Sequence, residues 1–292
     1  MRPLRGFDYK KVKTLEEAWK AASRCPGEAR YLAGGTDLLP QMKRGAIQTP
    51  LLISLKGVRY LNGLTDYGEW VNIGPLTAIE DVVRSEILRK KSPLLPLAGG
   101  QVGSVQIRNL GTVGGNICNA SPSADVATAL MCVDAELKIE GPDGVRSEKL
   151  EEFFKGPGLT SLSSTEIVTG ILVPAMEKNW NWNYQKLGSR RAMEIGIVNV
   201  AIGLKAEQGI CKEVRIALGS VAPTPIRARK AEKRLEGARW TRELVEEAAE
   251  LGAQDSNPID DLRASAAYRR EMVRNLVRSE LMALQETAAG EG

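Results

Sequence analysis

The chain contains no histidine at all. That absence rules out a histidine general base, a Ser-His-Asp triad, a histidine metal site and a histidyl-linked cofactor. Any chemistry falls to carboxylates, lysine, tyrosine, cysteine or a bound group. Cysteine is also scarce. The four, at 25, 118, 132 and 211, form no C-x-x-C pair, which argues against an iron-sulfur or metal site built by this chain alone. They read as reduced, mostly buried thiols, Cys118 included. No window approaches the ~20 apolar residues needed to span a bilayer, and the start, MRPLRGFDYKKV, lacks an apolar signal core. A cytoplasmic protein with no membrane span is expected. Nor is there a block of one charge: 40 Lys and Arg face 36 Asp and Glu, a balance of +4. No basic stripe for nucleic acid results. The densest basic stretch, RARKAEKR at 227–234, reads as the solvated face of a helix.

What is present is an ordinary globular composition, 43% hydrophobic over 292 residues, a length that predicts more than one core. Thr14-Leu15-Glu16-Glu17 has the form of a capping box and predicts a helix to about Arg24. A short strand at 29–33 leads into AGGTDLLPQMKRG, where Leu38, Leu39 and Met42 begin a helical pattern that Pro40 should break, and a second strand follows at 51–55. Beyond Tyr60 come strands near Gly63 and at 70–73, a second capping box at Thr77 with Glu80 opening a helix to about Arg89, and another helix from Pro93 to Val102. A helix at 123–132 and strands at 135–139 and 167–173 complete this block. After Pro174, residues 180–187, 196–206 and 214–221 alternate as three strands, and from Arg227 onward the pattern is helical.

Two glycine-rich stretches carry the chemistry. In A-G-G-T-D, residues 33–37, glycines at a strand end leave consecutive backbone N–H groups free to cradle an anion, with a helix start behind them. T-V-G-G-N, residues 112–116, offers the same chemistry a second time, followed by Asn119, Ser121, Ser123 and Asp125. Together they suit a long ligand held from both ends. Neither matches the Rossmann or Walker pattern, and each alone also reads as a tight turn.

In order along the chain, "YLAGGTDLLPQMK", "NIGPLT", "VGSVQIRNLGTVGGNICNASPSAD", "EIVTGILVP" and "YQKLGSRRAMEI" resemble the FAD-binding medium subunit of the molybdenum hydroxylases, the family of xanthine dehydrogenase and aerobic carbon monoxide dehydrogenase. The resemblance implies an α+β chain of the PCMH-type FAD-binding fold. Two FAD-binding subdomains, 1–58 and 59–175, would precede a C-terminal domain, 176–292, of a three-stranded antiparallel sheet and a helical bundle. It further implies that Leu32, Ala33, Gly34, Gly35, Thr36, Asp37, Leu38 and Leu39 wrap the FAD pyrophosphate, and that Thr112, Val113, Gly114, Gly115 and Asn116 hold it from the other side. Asp125 would meet the adenosine end, Val102 and Val168 would make apolar contacts, Lys186 would lie near the flavin, and Ile195 would sit beside its ring. By itself Asp125 also reads as a helix cap, and Lys186 as a strand-edge lysine. Three positions depart from the family pattern: Pro75 stands where many relatives have a small residue, and Met193-Glu194 replaces a more acidic or aromatic pair.

The function implied is electron transfer. A large partner would carry the molybdenum cofactor, a small one two [2Fe-2S] clusters, and this chain would exchange electrons with NAD, a quinone, ferredoxin or oxygen, in a dimer of heterotrimers. A stand-alone flavin oxidoreductase and a scaffold subunit without FAD are the alternatives. The first requires an acid or base of its own, and both intact glycine loops argue against the second.

Overall fold

A computed structural model describes residues 6–176, 179–190 and 193–290. Near the N-terminus, strands Asp8–Lys11, Leu51–Ser54 and Arg30–Leu32 form a parallel sheet with Leu51–Ser54 in the middle. The middle strand, LLIS, is buried along its whole length, as a parallel strand covered on both faces must be. The helix Leu15–Ala22 covers the sheet with Leu15, Ala18, Ala21 and Ala22. Its capping box forms nearly as expected: Thr14 Oγ1 accepts from Glu17 N at 3.2 Å, and Glu17 reaches back to Lys13 N at 2.7 Å.

Pro40 does not break the helix Leu38–Arg44. It lies in the first turn, where its missing N–H would have had no intrahelical partner. The helix ends at Gly45, which takes the left-handed conformation.

The middle of the chain builds a five-stranded antiparallel sheet in the order Leu64–Asp66, Trp70–Ile73, Ile167–Pro174, Glu136–Gly141, Gly144–Lys149. The second capping box does not form. Thr77 Oγ1 instead bonds the N–H and C=O of Gly63, each at 2.9 Å, and Glu80 turns to Arg84 and Arg108, each at 2.8 Å. The expected single helix divides into Ile79–Arg84 and Glu86–Lys91, because Ser85 leaves the helical conformation and caps the second with Leu88 N at 3.2 Å. Next come the short helices Leu94–Gly100, Val105–Leu110 and Val113–Cys118, then Asp125–Cys132, whose eight residues are all buried.

Three long antiparallel strands follow, Trp180–Leu187, Val198–Glu207 and Ile210–Gly219, with a two-residue fourth, Ile226–Arg227, at the edge. Tyr184, Ala201 and Ala217 pack with the helix Asp125–Cys132 in the core of the middle block. Val200, Ile202 and Leu218 join the core made with the helices Arg229–Leu235, Arg242–Asp255 and Ala266–Gly290. One sheet thus links two cores.

The basic stretch at 227–234 is not all a solvated face. Arg227 is only 3% exposed and lies 2.6 Å from Glu232, itself buried, with Asp134 on its other side. A guanidinium enclosed by two carboxylates needs no solvent to hold its charge.

The loop before the last helix is fixed by Asp261, which accepts from Arg263 N at 2.8 Å, Ala264 N at 3.2 Å and the Arg269 guanidinium at 2.8 Å. Burial alone would raise its carboxyl; these donors outweigh burial and hold it down at about 2. A depressed carboxyl stabilises the fold above its unfolded pKa and stops doing so as pH falls through the folded one. Asp261→Asn is therefore expected to lower the melting temperature at neutral pH. The gap to wild type should close as pH falls from about 4 to about 2. Thermal melts at several pH values check this, and a gap that stays constant down to about pH 2 would contradict it.

Candidate functional site

A cleft of about 830 Å³ runs between the end of the strand Arg30–Leu32, the stretch from Gly111 to Asp125, and the segment Glu166 to Val168, reaching Met193, Glu194 and Ile195 at one end. Its size and mixed polarity fall within the range of small-molecule and cofactor sites.

The first glycine stretch forms one wall. Leu32, Ala33, Gly34, Gly35, Thr36, Asp37 and Leu38 all line the cleft. Among the described residues, no backbone hydrogen bond uses the N–H groups from Gly34 to Leu38 as donors, while the helix behind them begins its own pattern with Leu39 N to Gly35 O at 3.2 Å. That leaves a run of unpaired donors at a helix start, the arrangement that suits a phosphate. Both glycines are needed where they stand. A Cβ on Gly34 would lie 2.0 Å from the carbonyl oxygen of Leu110, and Gly35 has φ +80°. Burial pushes the Asp37 carboxyl up against the pull of Arg44. Leu39 does not line the cleft; its side chain packs where a Cβ on Gly35 would stand.

The second glycine stretch does not repeat this chemistry. Thr112 caps the helix Val113–Cys118 through Gly115 N at 3.0 Å, Val113 N donates to Thr77 O at 3.0 Å, Gly114 N to Pro75 O at 2.8 Å and Asn116 N to Thr112 O at 2.9 Å. These four donors are spent inside the protein. The stretch serves as a close-packed wall: a Cβ on Gly114 would meet Pro75 at 2.5 Å. Thr112, Gly114, Gly115 and Asn116 face the cleft, whereas Val113 is fully buried in the core. Asn116 Oδ1 accepts from Ala127 N at 3.2 Å, so its amide hydrogens are what it can offer a ligand.

The two walls touch. Besides the approach of Gly34 to Leu110, Gln41 donates to Asn119 Oδ1 at 3.2 Å, both residues bordering the cleft. Arg108 braces the second wall from behind, 2.8 Å from Glu80 and within hydrogen-bonding distance of the carbonyls of Gly100 and Val102. Val102, Val168, Ile107 and Leu162 supply apolar surface. Cys118, expected buried, is exposed on the cleft wall, because the helix Val113–Cys118 turns its last residue outward. Glu166 is held low by the Arg146 guanidinium, 2.6 Å away.

At the far end, Asp125 lines the cleft but does not cap its helix. Its carboxylate accepts from Tyr184 Oη at 2.7 Å, Lys186 Nζ at 2.8 Å and Asn199 Nδ2 at 3.0 Å. Lys186, on the edge strand Trp180–Leu187, also reaches Gln101 O at 3.1 Å and lines a smaller adjoining cavity that shares Met193 and Glu194 with the cleft. Ile195 is 51% exposed at this end. Arg191 and Ala192, within the motif at 184–195, lie outside the described residues. Arg108, Tyr184, Asn199 and Gln41 were not singled out from sequence. Gln41, Arg108 and Tyr184 stand within the quoted motifs, and Asn199 lies outside them.

The comparisons with known proteins agree with this geometry. Residues 5–176 match the family model of the FAD binding domain in molybdopterin dehydrogenase, and residues 183–284 that of the CO dehydrogenase flavoprotein C-terminal domain. The carbon monoxide dehydrogenase medium chain of Hydrogenophaga pseudoflava is 33% identical over 277 residues, 95% of this chain and 96% of that one. The xanthine dehydrogenase FAD-binding subunit of Escherichia coli O157:H7 is 32% identical over 286 residues, 97% of each. Among solved structures, carbon monoxide dehydrogenase from Hydrogenophaga pseudoflava aligns with a TM-score of 0.93 over 95% of this chain and 96% of that chain, at 33% identity. Quinoline 2-oxidoreductase from Pseudomonas putida 86 aligns with a TM-score of 0.93 over 98% and 99%, at 25% identity. With both family models matched and full-length relatives above 30% identity, the chain belongs to the FAD-binding medium-subunit family of the molybdenum hydroxylases.

Proposed function

We propose that this chain is the FAD-binding electron-transfer subunit of a heteromeric molybdenum hydroxylase. The observation that carries this reading is the run of unpaired N–H donors from Gly34 to Leu38, set in a cleft of about 830 Å³ with apolar surface on either side. A dinucleotide has a doubly anionic middle and two flat ends, and a cleft that offers both free N–H donors and apolar walls suits it. In this reading Gly34 to Leu38 hold the pyrophosphate, Thr112, Gly114, Gly115 and Asn116 form the opposite wall, and Val102, Val168 and Ile195 contact the ring systems. The chain is organised as units 1–58, 59–175 and 176–292, with the last contributing one end of the cleft.

FAD, when bound, supplies a centre that accepts electrons singly or in pairs and so connects one-electron carriers to a two-electron partner. The side chains bind, orient and shield. None need act as acid or base; Asp125, Glu166 and Glu194 are engaged by protein donors, and Asp37 stands at the start of the helix behind the first glycine stretch. The partners in this reading are a large subunit with the molybdenum cofactor and a small one with [2Fe-2S] clusters, assembled as a dimer of heterotrimers. NAD, a quinone, ferredoxin or oxygen would exchange electrons with the complex. No helix among the described residues is long and apolar enough to cross a membrane, in keeping with a cytoplasmic complex.

The test is the visible spectrum and extracted-cofactor chromatography of the purified chain. FAD at about one per chain, or taken up on addition, is the expected result. A folded chain that stays colourless with added FAD, both alone and with its partner subunits, would overturn the reading.

A further inference from the structure

Asp125 sits in a purpose-built socket. Its side chain is only 7% exposed, and all three of its side-chain partners come from two adjacent strands. Lys186 and Asn199 are directly paired in register, and Tyr184, two residues before Lys186, points to the same face. Asn199 is itself seated: it accepts from Ser220 Oγ at 3.3 Å, and a Cβ on Gly196 would come within 2.0 Å of its Oδ1. So much preparation for one carboxylate exceeds what helix capping requires.

The location gives the socket a use. Asp125 borders the large cleft and Lys186 the smaller cavity, so the ion pair stands in the partition between them. This end opens to solvent, for Met193 and Ile195 are 55% and 51% exposed. A ring that passes electrons to other molecules belongs at the open end. Two electrons and one proton convert neutral oxidised flavin to a singly negative reduced form. A partly buried charge nearby acts on that change strongly, since little water screens it.

We propose that Asp125 is a positioning residue that pins the Lys186 ammonium beside the open end of the cleft, and that the balance of the pair sets the reduction potential of the bound flavin. The inference rests on the FAD reading above. It gives Asp125 a role through Lys186 in place of contact with adenosine.

The test is a reductive titration of the FAD-loaded protein with dithionite and reference dyes. Asp125→Asn keeps the shape, leaves Lys186 uncompensated and should raise the potential by about 30 mV, a tenfold change in the ratio of oxidised to reduced cofactor. Asp125→Asn with Lys186→Gln should bring it back towards wild type. Lys186→Gln alone, followed over a range of pH, should lower it at the alkaline end, once the Asp125 carboxyl, which burial pushes up and Lys186 no longer pulls down, has ionised. Should Asp125→Asn fail to fold, this last variant still decides. A merely structural pair would not move the potential in opposite directions. Variants that retain FAD with unchanged potentials overturn the proposal and leave the FAD reading intact; a wild-type protein that takes up no FAD sinks both.

Discussion

Gly34→Ala is expected to cost the chain its FAD. A Cβ at this position would stand 2.0 Å from Leu110 O, 2.9 Å from Leu110 C and 3.1 Å from Gly111 Cα. All three are backbone atoms, so no side chain can swing aside, and the two walls of the cleft must separate. The cofactor would bridge those walls, so their separation loses contacts on both sides at once. Affinity for FAD should fall on the order of 100-fold, about 2.7 kcal/mol. Gly100→Ala is the control: its Cβ would meet nothing within 4 Å, and alanine suits the helix Leu94–Gly100 better than glycine. Quenching of flavin fluorescence measures both variants against wild type, with circular dichroism confirming that each is folded. If Gly34→Ala binds FAD within a few-fold of wild type, close approach of the walls is not what forms the site.

The same glycine shows how far the sequence could be read. A-G-G-T-D announced a turn with free donors, and that turn exists, because the signal is local: a left-handed Gly35 and a helix start behind it. T-V-G-G-N looked equivalent but is not. Two of its donors are taken by Thr112 within the motif and two by Pro75 and Thr77 in a distant loop, a pairing that nothing in the motif reveals. Thr14 and Thr77 make the same contrast. Both head a T-x-x-E pattern, but only Thr14 caps, since Gly63 claims the hydroxyl of Thr77 and Arg108 helps claim Glu80. Strands and helices with strong periodicity were found to within a few residues. What escaped was the long-range polar pairing, including the Asp125 socket, where Tyr184 and Asn199 lie 59 and 74 residues away. Such contacts depend on how sheets and helices are brought together, and short-range pattern carries no record of that.

The buried pair of Arg227 and Glu232 should dominate the stability of the C-terminal part. Glu232 Oε1 accepts from Arg227 Nε at 2.6 Å and from Ile216 N at 2.7 Å, so one oxygen ties the helix Arg229–Leu235 to the edge strand and to the strand Ile210–Gly219. Glu232→Ala would leave the guanidinium, 3% exposed, with only Asp134 opposite it, and would strand a buried backbone donor. Removing one partner of such a pair costs up to about 3–5 kcal/mol, because the remaining charge keeps its desolvation penalty with only the half-exposed Asp134 to offset it. Replacing both members, as in Arg227→Met with Glu232→Leu, should recover most of that loss, short of about 1–3 kcal/mol for the unpaired Ile216 N–H. Urea unfolding followed by tryptophan fluorescence would report the difference, since Trp240 lies in this core. A single variant no less stable than the double one would mean that Arg227 reaches solvent and that the pair is not the joint described.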